Sequence, residues 1–346
     1  MLNTVLLTLF GFILCFVSSH SQASNCHTTL QTLEKRLLQE PSNTYLRQAY
    51  ALTLTQCRGG QKQEASNAQG KLEQSISVEI GHETNPTRTS YIEQFQLTLP
   101  QGVLTVDNNA PTMSSDFLKS EYSLQYQRNR HQWQVDAFIQ DFKHPHVNTT
   151  KHLNMRYRYA ITDKILLSVD GQTHHYHANH YNQGELGVIF AVSPDLLTQA
   201  SFARRLYPDS NHFDSNMVNV SAFGRVSGTS WQYGLGATLD KGAPTRTGGD
   251  QKRLFGYLNH DVQIDTFALS SSVFWQEQRD EEPYSFLLKN GKARHLQTFG
   301  LQLQLELAEY ESLSPYVQLG HWRQRSNLAI FKWKSNRLNL GLKANW

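Results

Sequence analysis

Long apolar runs are scarce in this 346-residue chain. After residue 23, no stretch reaches the roughly 18 consecutive apolar residues that a membrane-spanning helix needs. Only 39% of the residues are hydrophobic, and the mean hydropathy is −0.52. The remainder is therefore either soluble or a β-barrel, in which only every second strand residue faces lipid.

A strong net charge and recognisable catalytic motifs are also missing. The formal net charge is +3, and no basic helix or patterned basic run is present, which argues against nucleic acid as a partner. The chain contains no Gly-x-Ser-x-Gly run, no His-Glu-x-x-His and no phosphate-binding glycine loop. We expect no enzymatic activity and no cofactor.

The N-terminus has no lysine or arginine, yet residues 1–23 otherwise have the features of a signal peptide. The segment from Val5 to Val17 is almost wholly apolar, and Ser21-Gln22-Ala23 gives small residues at a cleavage site. We predict cleavage after residue 23. The missing basic residues leave an uncleaved N-terminal anchor as the alternative.

Cysteine is rare, with three in the chain, and Cys15 lies inside the predicted signal. The remaining pair, Cys26 and Cys57, is an even number in an exported protein, where disulfides form and persist. This pair is predicted to form a disulfide.

Residues 24–72 have helical periodicity. Two sets of apolar positions, separated by Pro41-Ser42-Asn43-Thr44, recur at helical spacing, and Gly59-Gly60 ends the second set. The members are Leu30, Leu33, Leu37 and Leu38, then Leu46, Ala49, Tyr50 and Leu54. We predict a tetratricopeptide-like helical hairpin, with 61–72 as a third helix. An unspecialised helical plug or linker is the alternative.

From residue 73 to residue 346 the periodicity changes to two. The last segment is the clearest example, because one face is apolar and the chain ends in an aromatic residue. That face comprises Leu338, Leu340, Leu342, Ala344 and Trp346. This pattern predicts an all-β transmembrane fold, an antiparallel outer-membrane β-barrel of about fourteen strands. Leu338, Leu340, Leu342 and Trp346 are expected to form the C-terminal signal that the barrel assembly machinery recognises.

The connections between the predicted strands alternate in length. Those after even-numbered strands are brief, whereas those after odd-numbered strands are longer and polar, as expected for a barrel with both termini in the periplasm. The longest connection, 85–115, contains a short alternating stretch. It is predicted to fold either as a small hairpin outside the membrane or as two further wall strands.

Charged residues lie on the predicted inner face of the wall. Both signs occur, so no strong ion selectivity follows. They are Lys119, Glu121, Asp136, Arg156, Arg158, Asp170, Glu306 and Lys343.

Histidines are concentrated in one predicted outer loop. His174, His175, His177 and His180 lie there, and His144 and His146 lie in the preceding one. Imidazole binds zinc, copper and haem iron, so these are weak metal-site candidates. A solvated polar loop is the alternative.

Two further stretches resemble motifs of the surface lipoprotein assembly modifiers (Slam proteins). The segment 80–86 contains Gly81, Thr84, Asn85 and Pro86, with His82 in a position that is aromatic in that family. The second stretch, 325–337, contains Ser326, Asn327 and Arg337. The resemblance implies a periplasmic tetratricopeptide domain followed by a fourteen-stranded barrel. This chain has one such helical unit or slightly more, fewer than the family has.

The resemblance also implies a function without covalent chemistry. The barrel would move a partner protein, a surface lipoprotein or a small secreted haem- or metal-binding protein, across the outer membrane of a Gram-negative bacterium. Its other partners would be outer-membrane lipid and, during biogenesis, the barrel assembly machinery. A porin-like diffusion channel and an accessory barrel of an envelope polymer exporter are the alternatives.

Overall fold

The computed structural model describes residues 70–108, 112–176, 179–288, 291–307 and 312–346. The predicted signal peptide, the Cys26–Cys57 disulfide and the helical segment up to residue 69 lie outside the described residues. Within the described ranges, no helix has the length and apolar character needed to cross a membrane.

Sixteen strands occur in the described ranges. They are β1 (Lys71–Glu83), β2 (Gln94–Leu99), β3 (Gly102–Asp107), β4 (Ser115–Arg128), β5 (His131–Phe142), β6 (Thr150–Ala160), β7 (Ile165–Tyr176), β8 (Asn179–Ser193), β9 (Leu196–Leu206), β10 (Ser215–Arg225), β11 (Trp231–Gly242), β12 (Gln251–Ile264), β13 (Phe267–Pro283), β14 (Ala293–Leu307), β15 (Leu313–Ser326) and β16 (Trp333–Asn345).

Fourteen of these strands form one closed antiparallel barrel. Each pairs with its neighbours in sequence, and β1 closes the ring by pairing with both β4 and β16. The strands β2 and β3 form a separate two-stranded sheet. The prediction of fourteen wall strands is confirmed, and the 85–115 connection contains the small hairpin rather than additional wall.

Side chains alternate between two chemically different faces. On β16, Leu338, Leu340 and Leu342 point outward and are 47–52% exposed, whereas the intervening Asn339 is fully buried against the lumen wall. All eight charged side chains predicted to point inward lie on the lumen face, as the strand register requires. An outer surface this rich in exposed apolar residues is the surface of a membrane-spanning barrel.

The two ends of the barrel differ. At one end, which we call the turn end, short connections join the strands. The first residue of β1 and the last residue of β16 also lie at this end. Asn129 and Asp265 adopt left-handed backbone conformations in two of these turns, with φ of 53° and 51°. Small polar residues tolerate this region better than others. The opposite end, the loop end, has most of the long connections and the β2–β3 hairpin.

Two predicted boundaries were wrong. Lys71 and Leu72, assigned to a helix, pair with Gln127 and Tyr126 as the start of β1. The predicted loop 175–182 is mostly strand, because β7 runs to Tyr176 and β8 starts at Asn179. The polar sequence of this segment suggested a loop. A strand that extends beyond the membrane needs no apolar face, so it lacks the alternating pattern of the wall strands.

Candidate functional site in the lumen and at the loop end

The lumen wall has charged side chains that lack a counter-ion in the described part of the chain. Asp136 accepts hydrogen bonds from Ser123 and Gln134 at 2.6 and 2.8 Å, but from no cation. Glu185 accepts one hydrogen bond, from Gln183 at 3.4 Å. An ionised group without a partner is strongly disfavoured away from water. These carboxylates therefore indicate a hydrated lumen.

A polar niche lies in the wall between β6 and β9. Arg156 is paired with Asp170, whereas the neighbouring Arg158 has no ion pair within the described ranges. The Nε atom of Arg158 and the hydroxyl of Ser168 are both buried and lack hydrogen-bond partners. The niche has a volume of about 100 Å³. Its free donors are suited to an acceptor group of water or of a passing solute.

A buried charge cluster stabilises the loop end of β11 and β12. Asp240, whose side chain is 3% exposed, accepts hydrogen bonds from Arg246 at 2.7 Å and from Arg253. Arg246 also donates to the carbonyl of Gly249 at 2.7 Å, which draws the 243–250 connection toward the wall. One carboxylate therefore holds two guanidinium groups, of which that of Arg246 is buried and that of Arg253 is partly exposed.

A second buried pair lies on β13 and β14. The carboxylate of Asp280 is fully buried and accepts a hydrogen bond from Arg294 Nε at 2.9 Å. The Arg294 guanidinium also lies 4.8 Å from the centroid of the Tyr284 ring and 4.7 Å from that of Phe331. These cation–π contacts connect two loops to the wall.

The segment after β1 folds across the loop end. The hydroxyl of Tyr176, on β7, donates a hydrogen bond to the carbonyl of Pro86. The Arg88 guanidinium lies 5.0 Å from the Tyr176 ring centroid and 5.3 Å from that of Trp333. Arg88 also has a φ of 53°, an uncommon conformation for a residue with a side chain. This segment therefore narrows the loop end and places a cation there.

Another unneutralised cation lies on β9. Arg205 donates to Gln183 Oε1 at 2.8 and 3.0 Å, and its guanidinium lies 4.5 Å from the Tyr181 ring centroid. No described carboxylate lies within ion-pair distance of Arg205 or of Arg88. Both therefore leave positive charge at the loop end of the lumen.

The first family-like segment meets the end of the second where β1 pairs with β16. Glu83 accepts hydrogen bonds from Arg337 at 3.0 Å and from Ser335 at 3.1 Å. The Thr84 hydroxyl accepts a hydrogen bond from the Asn336 N–H at 2.9 Å. Asn85, which is 1% exposed, donates to the Lys334 carbonyl at 3.1 Å. These contacts fasten the first strand to the last.

Pro86 and Gly81 are also tightly packed. Pro86 is among the fully buried residues. A Cβ atom on Gly81 would lie 2.6 Å from the Leu338 carbonyl oxygen and 2.6 Å from the Phe117 ring. No side chain fits there unless the backbone of β16 moves.

Ser326 and Asn327 lie at the loop end of β15 and contact the neighbouring strand β14. The Asn327 side chain accepts a hydrogen bond from the His295 N–H at 2.9 Å and donates to the Ala293 carbonyl at 2.8 Å. The Ser326 hydroxyl accepts a hydrogen bond from the Leu328 N–H at 3.0 Å. Leu328 is 1% exposed and lies beside the β2–β3 hairpin. These residues are therefore more than turn formers, because they connect β14, β15 and the hairpin.

The predicted histidine candidates do not converge. His174 faces the lumen, where its Nδ1 lies 3.3 Å from that of His152. His175 and His180 point outward on paired strands, with ring centroids 5.3 Å apart. His177 lies outside the described residues. Within the described ranges, no group of three or more histidine, cysteine, aspartate or glutamate side chains is arranged to hold a metal ion.

The predicted C-terminal signal runs along the outer face of β16, from Leu338 to Trp346 at the turn end. Trp346 is 45% exposed, and its backbone exchanges hydrogen bonds with that of Gln74 at 2.9 and 3.1 Å. Leu338, Leu340 and Leu342 are exposed on the same outer face. The recognition of these residues during assembly remains a prediction.

Several residues of this site were not predicted. Arg88, Tyr176, Arg205, Arg246, Asp240 and Arg294 carried no motif. For Arg205, Asp240 and Arg294, a charge at an inward position of an alternating strand identified the face but not the partner, and Arg88, Arg246 and Tyr176 had no such signal.

Comparison with models of known protein families found no match, and comparison with curated proteins found none either. Among solved structures, the chain is similar to OprD of Pseudomonas aeruginosa, at 11% identity, 81% of this chain, 97% of that chain and a TM-score of 0.41. It is also similar to the outer membrane channel DcaP of Acinetobacter baumannii, at 8% identity, over 80% of this chain and 97% of that chain, with a TM-score of 0.45. A third similar structure is a bacterial polysaccharide outer membrane secretin, at 7% identity, over 78% of this chain and 98% of that chain, with a TM-score of 0.44. All three scores lie below 0.5, so we draw the function from the geometry of this chain.

Proposed function

We propose that the protein is an outer-membrane channel through which small polar solutes diffuse. The observation that carries this proposal is the set of lumen charges without counter-ions. It includes Asp136, Glu185, Arg158 and Arg205. Such groups require water around them, and a water-filled lumen inside an apolar outer wall is the design of a diffusion channel. No reaction is involved.

The loop end faces outward from the cell in this proposal, because short turns lie on the periplasmic side of such barrels. Solutes entering from outside first meet Arg88 and Arg205. Cations without counter-ions at a narrow entrance favour anions. We therefore expect weak anion preference at the outer entrance, followed by a wall of mixed charge.

Conductance measurements on the full-length protein in planar bilayers test the channel. We expect stable ohmic steps from the folded barrel, with folding checked by its heat-modifiable migration on a gel. Folded protein that inserts and gives no conductance would overturn the proposal. Conductance that persists at the same level after denaturation would show a contaminant and would also overturn it.

Reversal potentials across a KCl gradient test the role of the entrance. We expect Arg88→Gln combined with Arg205→Gln to lower the anion-to-cation permeability ratio roughly threefold, from Coulomb energies in water screened by salt. Arg225→Gln is the matched control, because Arg225 lies at the turn end and is paired with Asp195 at 2.7 Å. Equal shifts of the permeability ratio in the double variant and the control would refute the proposed role of Arg88 and Arg205 in anion preference.

Translocation of a partner protein is the second candidate, and it rests on the family-like segments. Gly81, Thr84, Asn85, Pro86 and Arg337 gather at one point on the β1–β16 seam, whereas turn formers alone would not need to meet. The cargo would be a surface lipoprotein or a small secreted protein.

Mass spectrometry after surface shaving tests the second candidate by comparing wild type with a deletion strain. Under translocation, one protein disappears from the surface and accumulates in the periplasm. An unchanged set of surface proteins, in conditions where lipoproteins and secreted proteins are expressed, excludes it. Either result is independent of the conductance that the purified protein shows in planar bilayers.

A further inference from the structure

The outer surface of the barrel has a group of basic residues near the loop end, which we call the cationic patch. It comprises Arg323 and Arg325 on β15 and Lys334 on β16. All three residues are exposed, and the register places them on the same face as the outward leucines of these strands. The patch therefore faces the membrane surroundings and not the lumen.

The position of the patch along the strands matches the lipid headgroups. The outward residues of β15 and β16 are apolar up to Leu319 and Leu338, which are 51% and 49% exposed. His321 and Asn336 follow, joined by a 2.6 Å hydrogen bond. Arg323 is four residues beyond Leu319. For a tilted strand rising about 3.3 Å per residue, this is roughly 10 Å beyond the apolar band along the barrel axis.

The patch contains a pair of like charges. Arg323 and Lys334 are direct cross-strand partners. Like charges directly opposite each other destabilise a sheet. The one described contact of the Lys334 ammonium group is the Tyr91 ring, whose centroid is 5.7 Å away. Among the described residues, no carboxylate lies within ion-pair distance of any of the three cations.

The same wall contains a similar pair that is neutralised. Lys252 and Arg279 are also outward cross-strand partners near the loop end. There, Lys252 lies 2.8 Å from Glu281, and Arg279 lies 2.6 Å from Glu277. The described residues thus supply counter-ions to one basic pair and not to the other. This difference favours a counter-ion from the surroundings of the barrel.

We propose that the cationic patch binds the phosphate groups of a phosphorylated glycolipid in the outer leaflet. Phosphate supplies several acceptor oxygens, which suit guanidinium groups that bind in a fork. The headgroup level of the patch favours a lipid over a dissolved anion. The long side chains can also extend along apolar surface to reach the lipid phosphates. This inference shares with the proposed function the orientation of the loop end toward the cell exterior, but it does not depend on conduction or on translocation.

Native mass spectrometry of the full-length barrel in detergent, titrated with bisphosphorylated lipid A, tests the proposal. We compare wild type with the triple variant Arg323→Gln, Arg325→Gln and Lys334→Gln. The expected loss of affinity is roughly a hundredfold, since each of the three surface cations contributes about fivefold. The matched control is Lys252→Gln with Arg279→Gln, which removes outward cations that already have internal partners and should retain the affinity.

Two further probes identify the source of the phosphate. Lipid A without its phosphates should not distinguish wild type from the triple variant. Inorganic phosphate alone should bind far more weakly than the phosphorylated lipid. Equal affinity in wild type and triple variant, equal losses in triple variant and control, or equal binding of free phosphate would each overturn the proposal. The heat-modifiable gel shift verifies that each variant is folded.

Discussion

The single buried carboxylate of Asp240 pairs with two arginines, so removing its charge tests how the loop end is stabilised. The Arg246 and Arg253 side chains are 5% and 18% exposed. Asp240→Asn keeps the shape of the side chain and removes its charge. Both guanidinium groups then lose the carboxylate with which they are directly paired. Breaking a buried ion pair in this way costs about 3–5 kcal/mol.

Urea titration of the refolded barrel in lipid vesicles, followed by tryptophan fluorescence, measures this cost. The expected result is a clear shift of the unfolding midpoint to lower urea with an unchanged slope, because the exposed area on unfolding stays the same. The double variant Asp240→Asn with Arg253→Gln should recover part of the loss, since it removes one of the two uncompensated cations.

An exposed ion pair provides the control for Asp240. Asp195 and Arg225 form an ion pair at 2.7 Å, but in a turn where the Arg225 side chain is 66% exposed. Asp195→Asn should shift the midpoint by only a small fraction of the Asp240→Asn shift, because solvent screens exposed pairs. Equal shifts in the two variants would refute the view that burial makes the Asp240 cluster important.

Three other predictions concern packing, pH and assembly. Gly81→Ala should destabilise the barrel by about 1–3 kcal/mol, because the new methyl group would meet backbone, whereas Gly171→Ala, with nothing within 4 Å, should not when both are measured by urea titration. The hydrogen bond from Arg225 lowers the pKa of Asp195, so the pair should persist at neutral pH and be lost only below the ordinary aspartate value of about 3.9, as the carboxyl carbon shift measured by NMR would report. Trp346→Ser should slow folding by purified assembly machinery more than Trp231→Ser does, and equal rates would contradict a terminal signal.

The barrel could be predicted because its sequence pattern is local. Apolar and polar residues alternate within each strand, so the face on which a side chain lies follows from its position in that strand. On β16 this rule correctly placed Leu338 outward and Arg337 inward. The same rule failed at the β7–β8 hairpin, where His175 and His180 lie in paired strands and not in a loop. Beyond the membrane the outer face is no longer apolar, and the alternation disappears.

The loop end could not be predicted because its contacts join distant parts of the chain. Tyr176 meets Pro86 across 90 residues, and Arg246 meets Asp240 from within a loop. An inward charge identifies a face, but its partner depends on the register and on how the connections fold back. For Asn85 and Asn327, turn propensity suggested local roles, whereas Asn85 joins the first strand to the last and Asn327 joins β15 to β14.

One electrostatic rule connects the two faces of the wall. The paired carboxylates of Asp240 and Asp280 are buried and fix the shape of the loop end. Charges without partners must be neutralised from outside. In the lumen, Arg205 is accessible to water and mobile ions, whereas on the outer surface Arg323 is accessible to lipid headgroups. Added salt should therefore reduce the ion selectivity of the channel strongly, because exposed charges in water are readily screened. It should weaken lipid binding less, because the phosphates would form direct hydrogen bonds to the guanidinium groups.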